Sequence, residues 1–327
     1  MLKVAMLSCW HVHAKGYAKR VKSNENAEVV AVWNEEVEAG QAWADELGCK
    51  FYADLDELLA NPEIDAVICD TPTTHHRDVL IKAAKAGKHI FTEKALAPTL
   101  EECYEIKQAI EEAGVTFCIS YPYKCTPFYL YAKKLIEKGF FGKISYMRTR
   151  NAHDGVSRGW LPDRWFDRST AAGGAMMDLG CHPVYLVADI MGKPKRVTGM
   201  FTAPFGKPVD ENAVALAEFE GGSLAVMETG FISTGSPFLF EIHGTDGCMI
   251  ARGNQDVYIK NKDMAQDFNL SAILPKELPQ PINQFIDACI NGTGSPKGMG
   301  LDDAIALTEL LQYSYIGDED NKICVIE

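Results

Sequence analysis

The sequence has no long apolar run, no paired-cysteine motif and no cluster of basic residues, and each absence closes a class of function. Its apolar stretches are strand-sized, well short of the ~20 residues that a membrane-crossing helix needs. Ten cysteines are present, but none is spaced C-x-x-C, and Cys69, Cys118 and Cys289 lie inside apolar segments. That scatter fits buried thiols in a reducing compartment better than a disulfide framework. Net charge is −13, which disfavours a polyanionic partner such as nucleic acid. The segment from Met1 to Leu7 lacks the longer apolar run and small-residue cleavage site of a secretory leader, and reads as a first strand. The expected location is the cytoplasm. No repeat or low-complexity tract interrupts the 327 residues, 47% of them hydrophobic, and that length suits two packed domains.

What is present is an alternation. Short apolar runs at Val4–Ser8, Val29–Trp33, Ala66–Cys69, His89–Thr92 and Thr116–Ser120 read as strands. Between them, His13–Lys22, Val37–Leu47, Asp54–Leu59, His75–Ala86 and Leu100–Ala113 have helical spacing. Gly48, Gly87 and Gly114 follow three of these helices, where a left-handed stop is expected. Alternation at this spacing means βαβ units and a doubly wound parallel sheet of the α/β class. Right-handed crossovers then bring every strand's carboxyl end to one edge, where ligands bind. That edge carries Ser8–His13, Asn34, Asp70–Thr74, Thr92–Lys94 and Tyr121–Lys124.

After Tyr121 the rhythm changes. Helical patterns at Phe128–Lys138 and Gly174–Met191 flank a strand at Gly142–Arg150, and strand-like runs fill Arg196–Ile259, with a hairpin turn at Phe219–Leu224. Two helices, Pro281–Ile290 and Asp302–Ser314, close the chain. The expected division is residues 1–121 and 122–327. The second part is α+β with an open, mostly antiparallel sheet. An apolar open face invites association into a homodimer or homotetramer.

The first strand-to-helix turn reads Ser8-Cys9-Trp10-His11-Val12-His13-Ala14. A dinucleotide-binding turn carries glycines there, so that backbone can approach a pyrophosphate; none stands here. Taken alone, the turn reads as an ordinary connection, with only the helix amino terminus favouring an anion. Ser8, Trp10, His11 and His13 are its candidate contacts. At the second strand's end, Asn34 can bond a ribose hydroxyl, and Glu35 and Glu36 repel a 2′-phosphate, which favours NAD while leaving NADP possible. Thr71, Pro72, Thr74 and His75 form a polar loop after the third strand, with His75 and His76 read as caps or surface residues. Glu93 and Lys94 follow the fourth strand, where an ammonium can polarise a substrate oxygen; away from that edge such a pair is usually a surface ion pair.

The strongest local signal is Gly173-Gly174-Ala175-Met176-Met177-Asp178-Leu179-Gly180-Cys181-His182-Pro183. On a helix, Asp178 and His182 share one face. A carboxylate beside an imidazole makes an acid/base pair, and alcohol oxidation needs one because the hydroxyl proton leaves as the hydride does. Pro183 is expected to kink that helix. Tyr123, Lys124, His153, Arg158, Trp160, Arg164 and Trp165 offer rings and cations suited to sugar faces and oxygens, about half of them expected to be structural. Cys9, His11, His13, His153, Cys181 and His182 match no closed zinc spacing, and the expected chemistry uses no metal.

These segments together resemble the glucose–fructose oxidoreductase, inositol dehydrogenase and rhizopine-catabolism (Gfo/Idh/MocA) family. Thr92-Glu93-Lys94 resembles its E-K-P motif, with Ala95 in place of proline. Asp178-Leu179-Gly180-Cys181-His182 resembles its D-x-G-x-H motif, and Thr71-Pro72-Thr73-Thr74-His75 its loop after the third strand. The resemblance spans nearly the whole chain. It implies a Rossmann domain joined to an α/β domain with an open sheet, and a nicotinamide cofactor. It implies Lys94 in substrate and cofactor positioning and proton relay, His182 as general acid/base, and Asp178 as its partner. The implied reaction moves a hydride between NAD(P) and a carbinol carbon of a sugar, polyol or inositol-like substrate. A redox-neutral, NAD-using glycosidase or lyase is one alternative. A dinucleotide-binding sensor or repressor without turnover is another, and the missing glycines favour it.

Overall fold

A computed structural model describes residues 1–326. The chain divides into two compact units: Met1–Ser120 with Pro279–Ile305, and Tyr121–Leu278 with Ala306–Glu327.

Unit 1 is built by the expected alternation. Its elements run β1 (Leu2–Leu7), α1 (Ala14–Lys22), β2 (Ala27–Trp33), α2 (Val37–Leu47), β3 (Lys50–Tyr52), α3 (Leu55–Leu59), β4 (Ala66–Cys69), α4 (His76–Lys85), β5 (His89–Thr92), α5 (Leu100–Ala113) and β6 (Phe117–Ile119). The strands pair in the order β3-β2-β1-β4-β5-β6, all parallel. This is the doubly wound order that reverses at β1/β4, where ligands lie beyond the strands' carboxyl ends. Strands buried on both faces explain the uninterrupted apolar runs: every residue of β4 is buried. Helix ends follow local chemistry. Thr99 closes a capping box with Glu102 at the start of α5, and Gly114, at φ 65°, ends it left-handed.

Unit 2 contains α6 (Pro127–Glu137), β7 (Ile144–Ala152), α7 (Arg168–Ala171), α8 (Cys181–Met191), β8 (Pro194–Thr202), β9 (Asn212–Phe219), β10 (Leu224–Gly230), β11 (Leu239–Gly244), β12 (Gly247–Arg252), β13 (Val257–Asn261) and β14 (Phe268–Asn269). The chain re-enters unit 1 through α9 (Pro281–Asn291), passes back within α10 (Leu301–Glu319) and ends in β15 (Cys324–Val325). A single 122–327 segment therefore omits this return, which depends on where α9 buries its apolar stripe of Ile282, Phe285 and Ile286. In unit 1, Phe285 meets Phe91 of β5.

The nine strands of unit 2 pair in the order β14-β13-β12-β11-β7-β10-β9-β8-β15, with β10 and β7 parallel and the other pairs antiparallel. Along β9 burial alternates strictly: Ala213, Ala215 and Ala217 are buried, whereas Val214 and Leu216 are exposed. The expected hairpin between Phe219 and Leu224 is present, turned by a 3-10 segment at Glu220–Gly222.

The expected helix over Gly174–Met191 is corrected. Residues 173–180 form successive turns, and α8 begins only at Cys181. The carboxylate of Asp210 holds the turns by accepting the amides of Gly174 and Met176 (2.8 and 2.7 Å). Pro183 falls in the first turn of α8, where a missing N–H costs nothing, so it does not kink the helix.

Candidate functional site

In unit 1, the turn between β1 and α1 keeps the backbone of a glycine turn without its glycines. Ser8 sits at φ 76°, the left-handed region that glycine adopts most cheaply. Its hydroxyl repays part of the strain: Oγ donates to Glu35 (2.6 Å) and accepts from the Trp10 amide (3.0 Å). Asn34 braces the same turn. Its Oδ1 accepts the Cys9 amide (2.8 Å), and its Nδ2 donates to the Glu36 carbonyl (3.0 Å). The side chain expected at a ribose thus holds backbone, and Glu35 is the acid that stands at the β2 tip beside the turn. Only its position after the second strand signalled it.

His11 and His13 turn towards β5. His13 Nδ1 donates to Glu93 Oε1 (2.8 Å), and His11 Nδ1 lies 3.8 Å from the same oxygen. The Tyr17 hydroxyl donates to that oxygen too, and shares a 2.7 Å hydrogen bond with Ser120. Burial alone would raise the Glu93 carboxyl; the charges of His11 and His13, with the His13 hydrogen bond, hold it well below the usual range. Asp70, fully buried nearby, has no hydrogen-bond partner at either carboxylate oxygen. Burial, reinforced by the charge of Glu93, pushes its carboxyl well up. Lys94 is buried, and its amide donates to Glu93 Oε2 (3.1 Å).

His75 is exposed, whereas His76, expected as a cap or surface residue, is buried. Its Nδ1 reaches the carbonyls of Ala95 and Leu96 (2.9 and 3.1 Å), and its Nε2 that of Thr71 (3.2 Å). It ties the loop of Thr71, Pro72 and Thr74 to the segment following Lys94, whose peptide bond to Ala95 is cis.

In unit 2, His182 is buried in the first turn of α8. Its Nδ1 meets the Tyr185 hydroxyl at 3.1 Å. The Tyr123 ring stands edge-on to it at 5.1 Å and stacks on Phe238 at 4.0 Å. Asp178 lies before the helix, so the two do not share a helical face; its carboxylate accepts the Trp165 indole N–H (2.9 Å). Arg164 lies over the Trp165 ring, 5.3 Å from its centroid. His153 stacks on Phe231 and packs against Trp160, and Arg158 pairs with Asp154 (3.2 Å). Lys124 is buried in an ion pair with Asp189 (2.9 Å), which engages it structurally.

A doubly wound sheet with an acid at the β2 tip, and an imidazole at the start of a buried helix, are parts that a dinucleotide-fold oxidoreductase uses. Residues 8–121 match the oxidoreductase family with NAD-binding Rossmann fold, and residues 129–250 match the GFO/IDH/MocA C-terminal domain. The chain belongs to the Gfo/Idh/MocA family. It is 32% identical to scyllo-inositol 2-dehydrogenase (NAD(+)) of Bacillus subtilis over 72% of this chain and 69% of that protein. It is 30% identical to 2,7-anhydro-N-acetylneuraminate hydratase of Escherichia coli over 70% of this chain and 62% of that protein. Among solved structures, the oxidoreductase domain protein from Kribbella flavida superposes with a TM-score of 0.87 at 22% identity, covering 100% of this chain and 99% of that one.

The left-handed Ser8 and the adjacent Glu35 fit a dinucleotide at its ribose end. The amides of Cys9, Trp10, His11 and His13 are already donated within the protein. Fewer amides of the turn therefore face a pyrophosphate than a glycine turn presents. No helix among the described residues is long and apolar enough to cross a membrane.

Proposed function

We propose that the protein is an NAD-dependent dehydrogenase that oxidises a secondary alcohol of a sugar, polyol or inositol, or reduces the matching ketone. The observation that carries this reading is the buried His182, held by the Tyr185 hydroxyl beside the Tyr123–Phe238 stack. Bound NAD supplies the hydride acceptor. His182 takes the proton that leaves the substrate hydroxyl as its carbon–hydrogen pair departs, and returns it in the reverse direction. Asp178, fixed by Trp165, accepts a substrate hydroxyl, and the flat face of Tyr123 packs on the apolar face of a sugar ring. Lys94 positions the substrate oxygen. Ser8 and Glu35 hold the ribose, and Glu35 rejects a 2′-phosphate; Thr71 and Pro72 line the cofactor edge.

The test is a panel of sugars, inositols and glycosides offered with NAD and NADP in parallel. Stoichiometric NADH from a free polyol or sugar supports the reading, with NAD preferred. The likeness to a hydratase favours a second reading, in which hydride leaves and returns and there is no net redox change. Product formed with no accumulated NADH selects it. Self-association is assigned to the outer face of the nine-stranded sheet, where Val214, Leu216 and Leu224 are exposed. Sedimentation of Leu216→Lys, expected to shift towards monomer, tests it. The ten free cysteines support a reducing, cytoplasmic location.

A further inference from the structure

Two histidine side chains of the first turn converge on a single carboxylate oxygen. One ring nitrogen of His11, one of His13 and an oxygen of Glu93 all lie within 4.8 Å of one another. His13 Nδ1 and His11 Nδ1 are 2.8 and 3.8 Å from Glu93 Oε1. Four-coordinate zinc, with bonds of about 2.0–2.1 Å, separates its ligand atoms by about 3.3–3.5 Å, so small side-chain rotations suffice. The donor types are right: two imidazoles and a carboxylate form a three-ligand set that leaves a coordination position open.

Three further observations point the same way. His11 Nδ1 accepts the His13 amide (3.3 Å), so it carries no proton, and a metal would take over the lone pair that this long bond now uses. Tyr17 donates to the Glu93 oxygen and is itself bonded to Ser120, as outer-sphere groups do when they orient a metal ligand. Asp70, close enough for the charge of Glu93 to act on it, is fully buried with both oxygens lacking a hydrogen-bond partner, a second acid that a nearby cation would stabilise.

We propose that His11, His13 and Glu93 form a divalent-metal site of zinc type in the first strand-to-helix turn. Binding displaces the proton on His13 Nδ1, which passes to solvent as the metal–nitrogen bond forms. The inference stands apart from the hydride-transfer reading and is tested without turnover.

Tag-free protein, stripped with chelator and dialysed, is titrated with Zn(II), and separately with Co(II) as an optical probe. One equivalent is expected to bind per chain, with a Co(II) spectrum of low-coordinate nitrogen and oxygen ligation. His13→Asn, at a half-exposed side chain, keeps the fold by circular dichroism and weakens binding more than about 100-fold, beyond the 10–100-fold of outer-sphere changes. Glu93→Gln and His11→Asn lose the ion as well. No stoichiometric uptake by the parent protein overturns the proposal, as does uptake undiminished in any folded variant of the three. NAD binding, followed by fluorescence on the same samples, separates failure of this site from failure of the dinucleotide reading.

Discussion

Glu93 in unit 1 and Asp189 in unit 2 are both carboxylates withdrawn from water, and their neighbours differ. Asp189 is 16% exposed and receives the ammonium groups of Lys124 and Lys133 at 2.9 and 2.8 Å, with the Tyr129 hydroxyl. Glu93 is more deeply buried, meets imidazoles and a phenol, and has the unpartnered Asp70 nearby. The first arrangement is complete: two fixed cations answer one anion. The second sets two buried carboxyl groups against two imidazoles, with the charge of Lys94 nearby. Closed ion pairs hold a fold together, whereas incompletely compensated clusters at the carboxyl edge of a sheet are where a ligand adds what is missing.

The largest expected effect tests the closed pair. Asp189→Ala leaves Lys124 buried without its acid, and should cost about 3–5 kcal/mol of stability in urea unfolding. A loss under about 1 kcal/mol would reduce the cluster to a surface pair. Next is the chemistry of unit 2. His182→Ala should lower turnover by about 100-fold or more while NAD affinity and stability hold; turnover near that of the parent removes His182 from its role.

The acid limb of stability sharpens the comparison further. Burial alone would raise the Asp189 carboxyl, but the Lys124 charge and the hydrogen bonds from Lys133, Tyr129 and Lys124 bring it down from 3.8 to about 2. Because the folded value lies below the unfolded one, its contribution is complete above about pH 4 and disappears as pH falls through about 2. It amounts to about 2 kcal/mol. Asp189→Asn should flatten that part of an acid-unfolding profile. The smallest effect carries the opposite sign: Asp70→Asn, in metal-free protein, should leave stability unchanged or raise it by about 1 kcal/mol, because it removes a buried carboxylate with no hydrogen-bond partner. Were Asp70→Asn as damaging as Asp189→Ala, the contrast between the two pockets would collapse.

Much of unit 1 was legible residue by residue. Val37–Leu47, Ala66–Cys69, His89–Thr92 and Leu100–Ala113 match their elements end to end, because helix periodicity, continuous burial and glycine stops are local signals. The three-residue β3 escaped because so short a run has no periodicity to read. In unit 2 the D-x-x-x-H motif was visible, but its conformation was not. Its glycines and helix-forming residues are compatible with helix, and what makes the segment turn is Asp210, more than 30 residues further on.

The sequence by itself determined the class of the first unit, the edge on which its ligand residues lie, and the types of chemistry available, since these follow from period and composition. Only the tertiary structure decided which of those residues meet. It made Asn34 a brace and Glu35 the acid beside the turn. It buried His76, closed Lys124 onto Asp189, and drew His11 and His13 onto Glu93 across some eighty residues of chain. The physical reason is that side-chain pairing at a sheet edge is set by strand order and crossover, and those are settled by burial of the whole apolar surface, not by any one segment.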